Sequence, residues 1–259
     1  MALLSVVVIT YNEERNIGRC LASVKDIADE IIVVDSFSSD RTVEIASQFN
    51  ALIRQSTFDG YINQKNKAIN LASHDLVLLL DADEAVSDEL RGSIARVKDN
   101  VEYQGYSMNR LSYFCGKFIK HGLWYPDRKL RLFDKRFGKC GGMNPHDKIE
   151  MEPSIEMKHL KGDLIHYTYD TLEAYLERND AVSTIAAQSL FDAGIKRHWS
   201  KMVLSPAWAF FNGYILRMGF LEGAEGFTIA VHTANQSFCK YQKLRRLYKQ
   251  ELKKVMRVT

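Results

Sequence analysis

The chain has 259 residues, 46% hydrophobic and 26% charged, with a formal net charge of +3. That length can bury a substantial core, the composition excludes a disordered or fibrous chain, and the charge alone gives no case for nucleic-acid binding. The four cysteines (Cys20, Cys115, Cys140 and Cys239) are too scattered for a zinc knuckle or a redox motif. The segment Met1–Ser5 carries neither a basic stretch nor a small-residue cleavage site, so a secretory signal is not expected. Small, reduced, partly buried thiols in a cytosolic protein are the expectation.

The first hundred residues alternate between two periods. Ser5–Thr10 is a β-branched apolar run that predicts a strand, and a helix-compatible stretch follows from Glu13 to about Lys25. Glu30–Asp35 predicts a second strand, after which Asp40 or Ser39 could cap a helix carrying Val43, Ile45 and Ala46. Ala51–Arg54 reads as a short strand and Ile62–Ala72 as a helix. Leu76–Leu80 is the most continuous apolar run of the five-residue kind, as a strand covered on both faces requires. Strand and helix alternating through short connections predict a doubly wound α/β domain with a mostly parallel sheet. Further on, Gly105–Phe114 and Leu130–Phe133 read as strands. A helix is predicted from Thr171 to about Ala193, with Leu172, Tyr175, Leu176 and Val182 toward the core.

Ligands of open α/β sheets collect beyond the carboxyl ends of the strands. Here three strands run into polar residues: Thr10-Tyr11-Asn12-Glu13, then Asp35 with Asp40 close behind, then Asp81-Ala82-Asp83-Glu84. Each carboxylate taken singly could be a turn residue or a cap. Jointly they place several acids on one sheet edge. Residues i and i+2 at a strand end project to one side, so Asp81 and Asp83 could hold a hard divalent cation, Mg²⁺ or Mn²⁺, against diphosphate oxygens. A nucleoside diphosphate leaving group needs such neutralisation. No Gly-x-Gly-x-x-Gly or Walker lysine loop follows the first strand, which counts against a dinucleotide enzyme and a P-loop NTPase.

With these residues in hand, the chain resembles the family 2 glycosyltransferases of the GT-A fold. Ser5–Glu13, Ile32–Asp40 and Leu78–Glu84 match that family's three N-terminal motifs in order. Tyr125–Phe133, Asn144–Asp147 and Gly219–Gly223 extend the likeness to the lipopolysaccharide core β-1,4-glucosyltransferase branch. The resemblance implies a nucleotide-sugar-binding part over residues 1–100, an acceptor and catalytic part over 101–170, and a helical, membrane-associated extension over 171–259. It implies that Thr10, Tyr11, Asn12, Glu13, Asp35 and Asp40 border the nucleobase and ribose, with Lys65 near the nucleotide. Asp81 would face the ribose or the metal, and Asp83 would be the direct metal ligand. UDP is the nucleotide that the resemblance favours.

An inverting transfer needs a carboxylate to take the acceptor proton. Asp147, aligned with a His-Glu pair in the related branch, is the candidate, one methylene shorter; Glu150, Glu152 and Asp127 are the alternatives, and His146 could orient the base or touch the metal. Arg128 and Arg131 could bind diphosphate oxygens in bidentate fashion. Met202–Leu216, aromatic but too short to span a bilayer, fits either an interfacial segment or core packing. Lys240–Arg257 reads as a basic amphipathic helix whose stripe is Leu244, Leu247, Tyr248, Leu252 and Val255. Together they suggest a peripheral membrane protein, and the resemblance implies one on the cytoplasmic face of the inner membrane, moving a hexose from a nucleotide-diphospho-sugar to a lipid-linked saccharide such as a lipopolysaccharide core. Three readings compete: a non-catalytic nucleotide-sensing or membrane-binding protein, a sugar nucleotidyltransferase, and nucleic-acid binding through the basic tail. The last has no other support in the chain.

Overall fold

The structure, a computed structural model, describes residues 1–143, 146–195 and 199–258. By its contacts the chain divides into two compact units. The first comprises Met1–Ser112, Asp127–Gly142 and His146–Thr168, and the second is built from Tyr113–Pro126 and the chain from Tyr169 onward.

In the first unit, β1 (Leu4–Thr10), β2 (Glu30–Asp35), β3 (Leu52–Gln55) and β4 (Leu76–Asp81) form a parallel sheet in the order β3-β2-β1-β4. Alternate residues of these runs face opposite ways. Val6, Val8, Leu78 and Leu80 belong to a core with α1 (Ile17–Val24) and α4 (Asp88–Asp99). Val7, Ile9, Val77 and Leu79 belong to a second core under α3 (Tyr61–Leu71). Both faces of β1, β2 and β4 are therefore dry, which is why these strands carry unbroken apolar runs, while the edge strand β3 is largely exposed.

The expected elements are all found, with shifted ends. The first helix starts at Ile17 rather than Glu13, because Glu13–Asn16 forms a turn in which the Asn16 and Ile17 N–H groups donate to the Glu13 carbonyl. The helix α2 (Thr42–Ser47) is fixed by Asp40: its Oδ1 accepts the Thr42 N–H at 3.0 Å. α4, unassigned from sequence, is capped by Ser87, whose hydroxyl accepts from Leu90 N, and it carries Asp88 and Glu89 in its first turn.

Beyond β4 the sheet turns antiparallel through β8 (Asp127–Asp134) and β6 (Gly105–Phe114), and then continues with β11 (Met157–Tyr169) and β5 (Glu84–Val86). A register shift where β6 passes Tyr106 to Ser107 leaves Arg131 as the extra residue of β8, between Leu130 and Leu132. Such a bulge re-aims the side chain it carries. β9 (Gly138–Met143) and β10 (His146–Met151) form a separate two-stranded ribbon.

The second unit is helical: α5 (Leu172–Asp192), α6 (Trp199–Phe210) continuing into a π-helical turn over Phe211–Leu216, and α7 (Ala224–Val258). Thr171 caps α5, accepting from Ala174 N. The buried stripe of α5 runs through Tyr175, Ser183 and Ala187, and Leu172 and Leu176 lie exposed instead of inward as predicted. Tyr175 packs with Phe114, Trp124 and Tyr169 in a cluster of edge-on and tilted rings.

Candidate functional site

The site lies in the first unit, where the parallel register sets Thr10 beside Asp35 and Ile9 beside Asp81. Carboxylates from β2 and β4 thus flank the end of β1, as the strand-end argument requires. They are held in two different ways.

Around β1 and β2 the donors are neutral. The buried Asp35 accepts from the Ser38 N–H and hydroxyl and from Gln55 Nε2 at 3.3 Å. Asn12, at a positive φ of 53°, accepts Ser39 N at 2.8 Å and donates its own N–H to Ser38 Oγ at 2.8 Å. Asp40 Oδ2 accepts Glu14 N at 3.1 Å. Burial works to raise the Asp40 carboxyl, but hydrogen bonds from Thr42 and Glu14 outweigh it and hold the group below its ordinary value. Glu13 N donates to Thr42 Oγ1 at 2.7 Å, which closes the loop. Tyr11 stands exposed at its tip. The Thr10 hydroxyl is buried with no partner among the described residues, a spare polar atom at the strand end.

Around β4 the donors are cations. Lys65 reaches from α3 with its ammonium 2.9 Å from Asp81 Oδ1 and 2.7 Å from Asp147 Oδ2, and only 3% of its side chain is exposed. Arg131 Nη2, delivered by the bulge, lies 2.9 Å from Asp81 Oδ2 and 2.7 Å from Glu84 Oε1. Arg110 bridges Glu84 at 3.5 Å and Asp127 at 2.8 Å. Burial alone would raise the Asp81 carboxyl, yet Lys65 and Arg131 drive it far below the usual carboxylate range. Burial likewise opposes the charge of Lys65 and Arg131, and the facing carboxylates, Asp81 and Asp147 for Lys65 and Glu84 and Asp81 for Arg131, overcome it and raise both.

Asp147 sits on β10 of the two-stranded ribbon, which is clamped to α3 by a two-way bond: Asn66 Nδ2 donates to the Cys140 carbonyl, and Cys140 N donates to Asn66 Oδ1, each at 2.9 Å. The contacts of Asp147 fall on Oδ2, while Oδ1 has none among the described residues. Of the alternatives, Asp127 is held by Arg110 and Lys129, and Glu150 pairs with Lys148 at 3.3 Å and lies over Gly141. Glu152 is exposed. The side chain of His146, and residues Asn144 and Pro145 of its motif, lie outside the described residues.

Asp83, in the turn after β4, faces a residue that sequence reading passed over. His166 Nε2 is 3.3 Å from Asp83 Oδ2, and His166 Nδ1 is 2.9 Å from Thr168 Oγ1. Burial raises the Asp83 carboxyl, but His166 lowers it more, leaving it below its ordinary value. The strand that carries His166 reads as polar, and its signal is the period-2 series Leu160, Gly162, Leu164, His166, with Leu160 and Leu164 buried. Arg128 is exposed and joins neither station.

Four parallel strands, two of which end in a carboxylate (Asp35 and Asp81), followed by antiparallel strands that bring cations back over them, define a GT-A fold, that of the nucleotide-diphospho-sugar transferases. The chain belongs to glycosyl transferase family 2, whose pattern matches residues 5–152. An uncharacterized glycosyltransferase of Rickettsia typhi is 30% identical over 95% of this chain and 88% of its own. The lipopolysaccharide core biosynthesis glycosyltransferase LpsC of Rhizobium meliloti is 25% identical over 92% of this chain and 93% of its own. The mannosyltransferase PcManGT of Pyrobaculum calidifontis, solved with GDP-Man and Mn²⁺, superposes with a TM-score of 0.53 at 14% identity, covering 94% of this chain and 87% of that one. At that identity the likeness is one of fold.

Proposed function

We propose that the protein transfers a hexose, with inversion, from a nucleotide-diphospho-sugar to a lipid-linked saccharide such as a lipopolysaccharide core, working at the cytoplasmic face of the inner membrane. The observation that carries this reading is the half-satisfied carboxylate of Asp147. Lys65 anchors Oδ2 and leaves Oδ1 to accept the proton of the acceptor hydroxyl. As the acceptor's oxygen gives up that proton to Oδ1 and bonds to the sugar's anomeric carbon from the side opposite the leaving group, the bond to the diphosphate breaks, and its electron pair leaves with the nucleotide.

The neutral station, Thr10–Glu13 with Asp35 and Asp40, would border nucleobase and ribose, since hydroxyl-rich partners suit acceptors already aimed by neutral donors. A divalent cation fits Asp83. A carboxylate oxygen and an imidazole Nε2 stand side by side there, and the Thr168 hydroxyl, which donates to the His166 carbonyl, can accept the Nδ1 proton that metal ligation requires. Asp81, engaged by two resident cations, would be the weaker ligand. Once bound, Mg²⁺ or Mn²⁺ would supply neutralisation of the diphosphate. Arg131 then acts through Asp81 and Glu84, holding the strand end in shape. Arg128, exposed, would meet the diphosphate only with donor present. UDP is the favoured nucleotide by family resemblance. The likeness to LpsC supports the lipopolysaccharide acceptor.

The test is nucleotide release from a panel of UDP- and GDP-sugars, with Mg²⁺ or Mn²⁺ and with chelator, in wild type and Asp83→Ala. Metal-dependent turnover of one donor, lost in the variant, is expected. Absence of donor binding at high concentration would sink the reading and favour a non-catalytic membrane protein on the same fold.

A further inference from the structure

The second unit presents an apolar surface that its own core does not use. On α6 and the turn after it, Leu204, Trp208, Phe211 and Ile215 recur at helical spacing and are 67%, 60%, 46% and 45% exposed. The opposite side is packed: Gly213 is buried, and a Cβ there would come within 2.8 Å of Leu123. Leu216 at the end of the turn, Phe220 and Leu221 after it, and Phe227 at the start of α7 are exposed as well. An apolar surface of this extent marks an interaction site.

Its charges select the occupant. From Trp199 to Leu221 the sequence has no acidic residue, and its two cations, Lys201 and Arg217, are both exposed. The next acid, Glu222, is buried, 2.6 Å from His121 Nδ1 and 3.0 Å from Lys117 Nζ, and it accepts Lys120 N at 2.9 Å. Glu222 is therefore turned inward and paired, and Glu225, at the start of α7, lies 3.8 Å from Lys117 Nζ. Exposed cations continue on α7 at Arg245, Arg246 and Lys249, with no ion-pair partner among the described residues. Aromatic and aliphatic side chains without carboxylates, bordered by cations, match an anionic phospholipid surface. No described helix is long and apolar enough to cross a membrane.

The basic helix itself is spent differently. Leu244 of α7 is buried, and toward α5 Tyr248 meets Phe191 edge-on with centroids 4.9 Å apart and Lys243 pairs with Asp180 at 2.6 Å. Of the predicted stripe only Leu252 is exposed, and Val255 lies outside the described side chains.

We infer that α6 and its following turn, and not the basic helix α7, form the surface that enters an anionic bilayer, with Leu204, Trp208, Phe211 and Ile215 as the inserting side chains. This deepens the reading of a lipid-linked acceptor. The test uses the full chain and sucrose-loaded vesicles of phosphatidylethanolamine, with or without phosphatidylglycerol. Wild type should co-sediment with the anionic vesicles, and acyl-brominated lipid should quench an emission component missing in Trp208→Phe. Leu204→Ser/Phe211→Ser should weaken partition at least about tenfold, and Leu252→Ser on α7 should leave it unchanged. Because the substituted side chains are exposed, the thermal midpoint should not fall.

Unchanged partition of the double variant would overturn the inference. So would loss of binding in Leu252→Ser alone. Absence of vesicle binding with concentration-dependent self-association, relieved by the double variant in sedimentation velocity, would assign the surface to a second copy of this chain. Donor turnover measured without vesicles separates the two readings. Turnover with no partition refutes only the bilayer surface, and partition with no turnover refutes only the transferase chemistry.

Discussion

Two strand ends of the same sheet carry buried and half-buried acids, and they hold them by opposite means. At β2, Asp35 and Asp40 are met by hydroxyls, amides and backbone N–H groups. At β4, Asp81 and Glu84 are met by Lys65, Arg131 and Arg110. Neutral donors aim a carboxylate and leave its charge in place, so the first station can still attract donors from a ligand. Cations cancel the charge and make each member depend on the others, because removing one partner strands a buried ion. Under the proposed function the first station would serve recognition and the second would be a charged frame around Asp147.

The largest expected effect follows from that dependence. Lys65→Met should destabilise the protein by about 3 kcal/mol, the cost of breaking a buried pair, read as a lower denaturant midpoint. Asp35→Asn should cost markedly less, since its partners are neutral. Equal losses would erase the distinction. Next, His166→Gln should weaken Mn²⁺ binding about tenfold, on the scale of lost metal-site support, as followed by calorimetry in the presence of nucleoside diphosphate. An electron spin-echo signal from imidazole nitrogen, present in wild type and absent in the variant, would sharpen the assignment. Asp40→Ala should then cost about 1 kcal/mol, the usual value of a lost helix-start acceptor, with no change in metal affinity.

Acid titration gives the smallest and most discriminating contrast. Asp40 and Asp81 both have folded-state values below the ordinary 3.8. Their stabilisation is therefore complete above that pH and disappears as the pH falls through each lowered value. Asp81, facing two cations, is depressed further than Asp40, so carboxyl carbon shifts should show Asp40 protonating first. The reverse order would contradict the cationic frame.

The neutral station was largely legible in the sequence, because its parts are local: a β-branched run, its terminal acid and a capping acid a few residues on. The frame was legible only in part. Asp81 and Asp83 stood out at a strand end, but Lys65 and Asp147 are separated by 82 positions and meet only through the fold. Arg131 owes its direction to a bulge, and a bulge leaves no mark in composition. His166 was hidden because β11 is rich in polar residues and lacks a continuous apolar run. In the helical unit, periodicity found the C-terminal half of α7, Lys240–Arg257, and its apolar stripe, but it missed the half that starts at Ala224 and could not name the stripe's partner. The structure spends it on α5 and leaves the shorter, more aromatic α6 exposed.

The most direct test of the catalytic reading is Asp147→Asn, assayed for donor affinity by calorimetry and for nucleotide release under saturating donor. The amide can keep the position of the side chain but cannot take a proton. With Asp147 as base, release should fall at least about 100-fold while donor affinity changes little. Release that survives in the variant at near the wild-type rate would remove Asp147 from the chemistry and pass the role to another carboxylate of the ribbon.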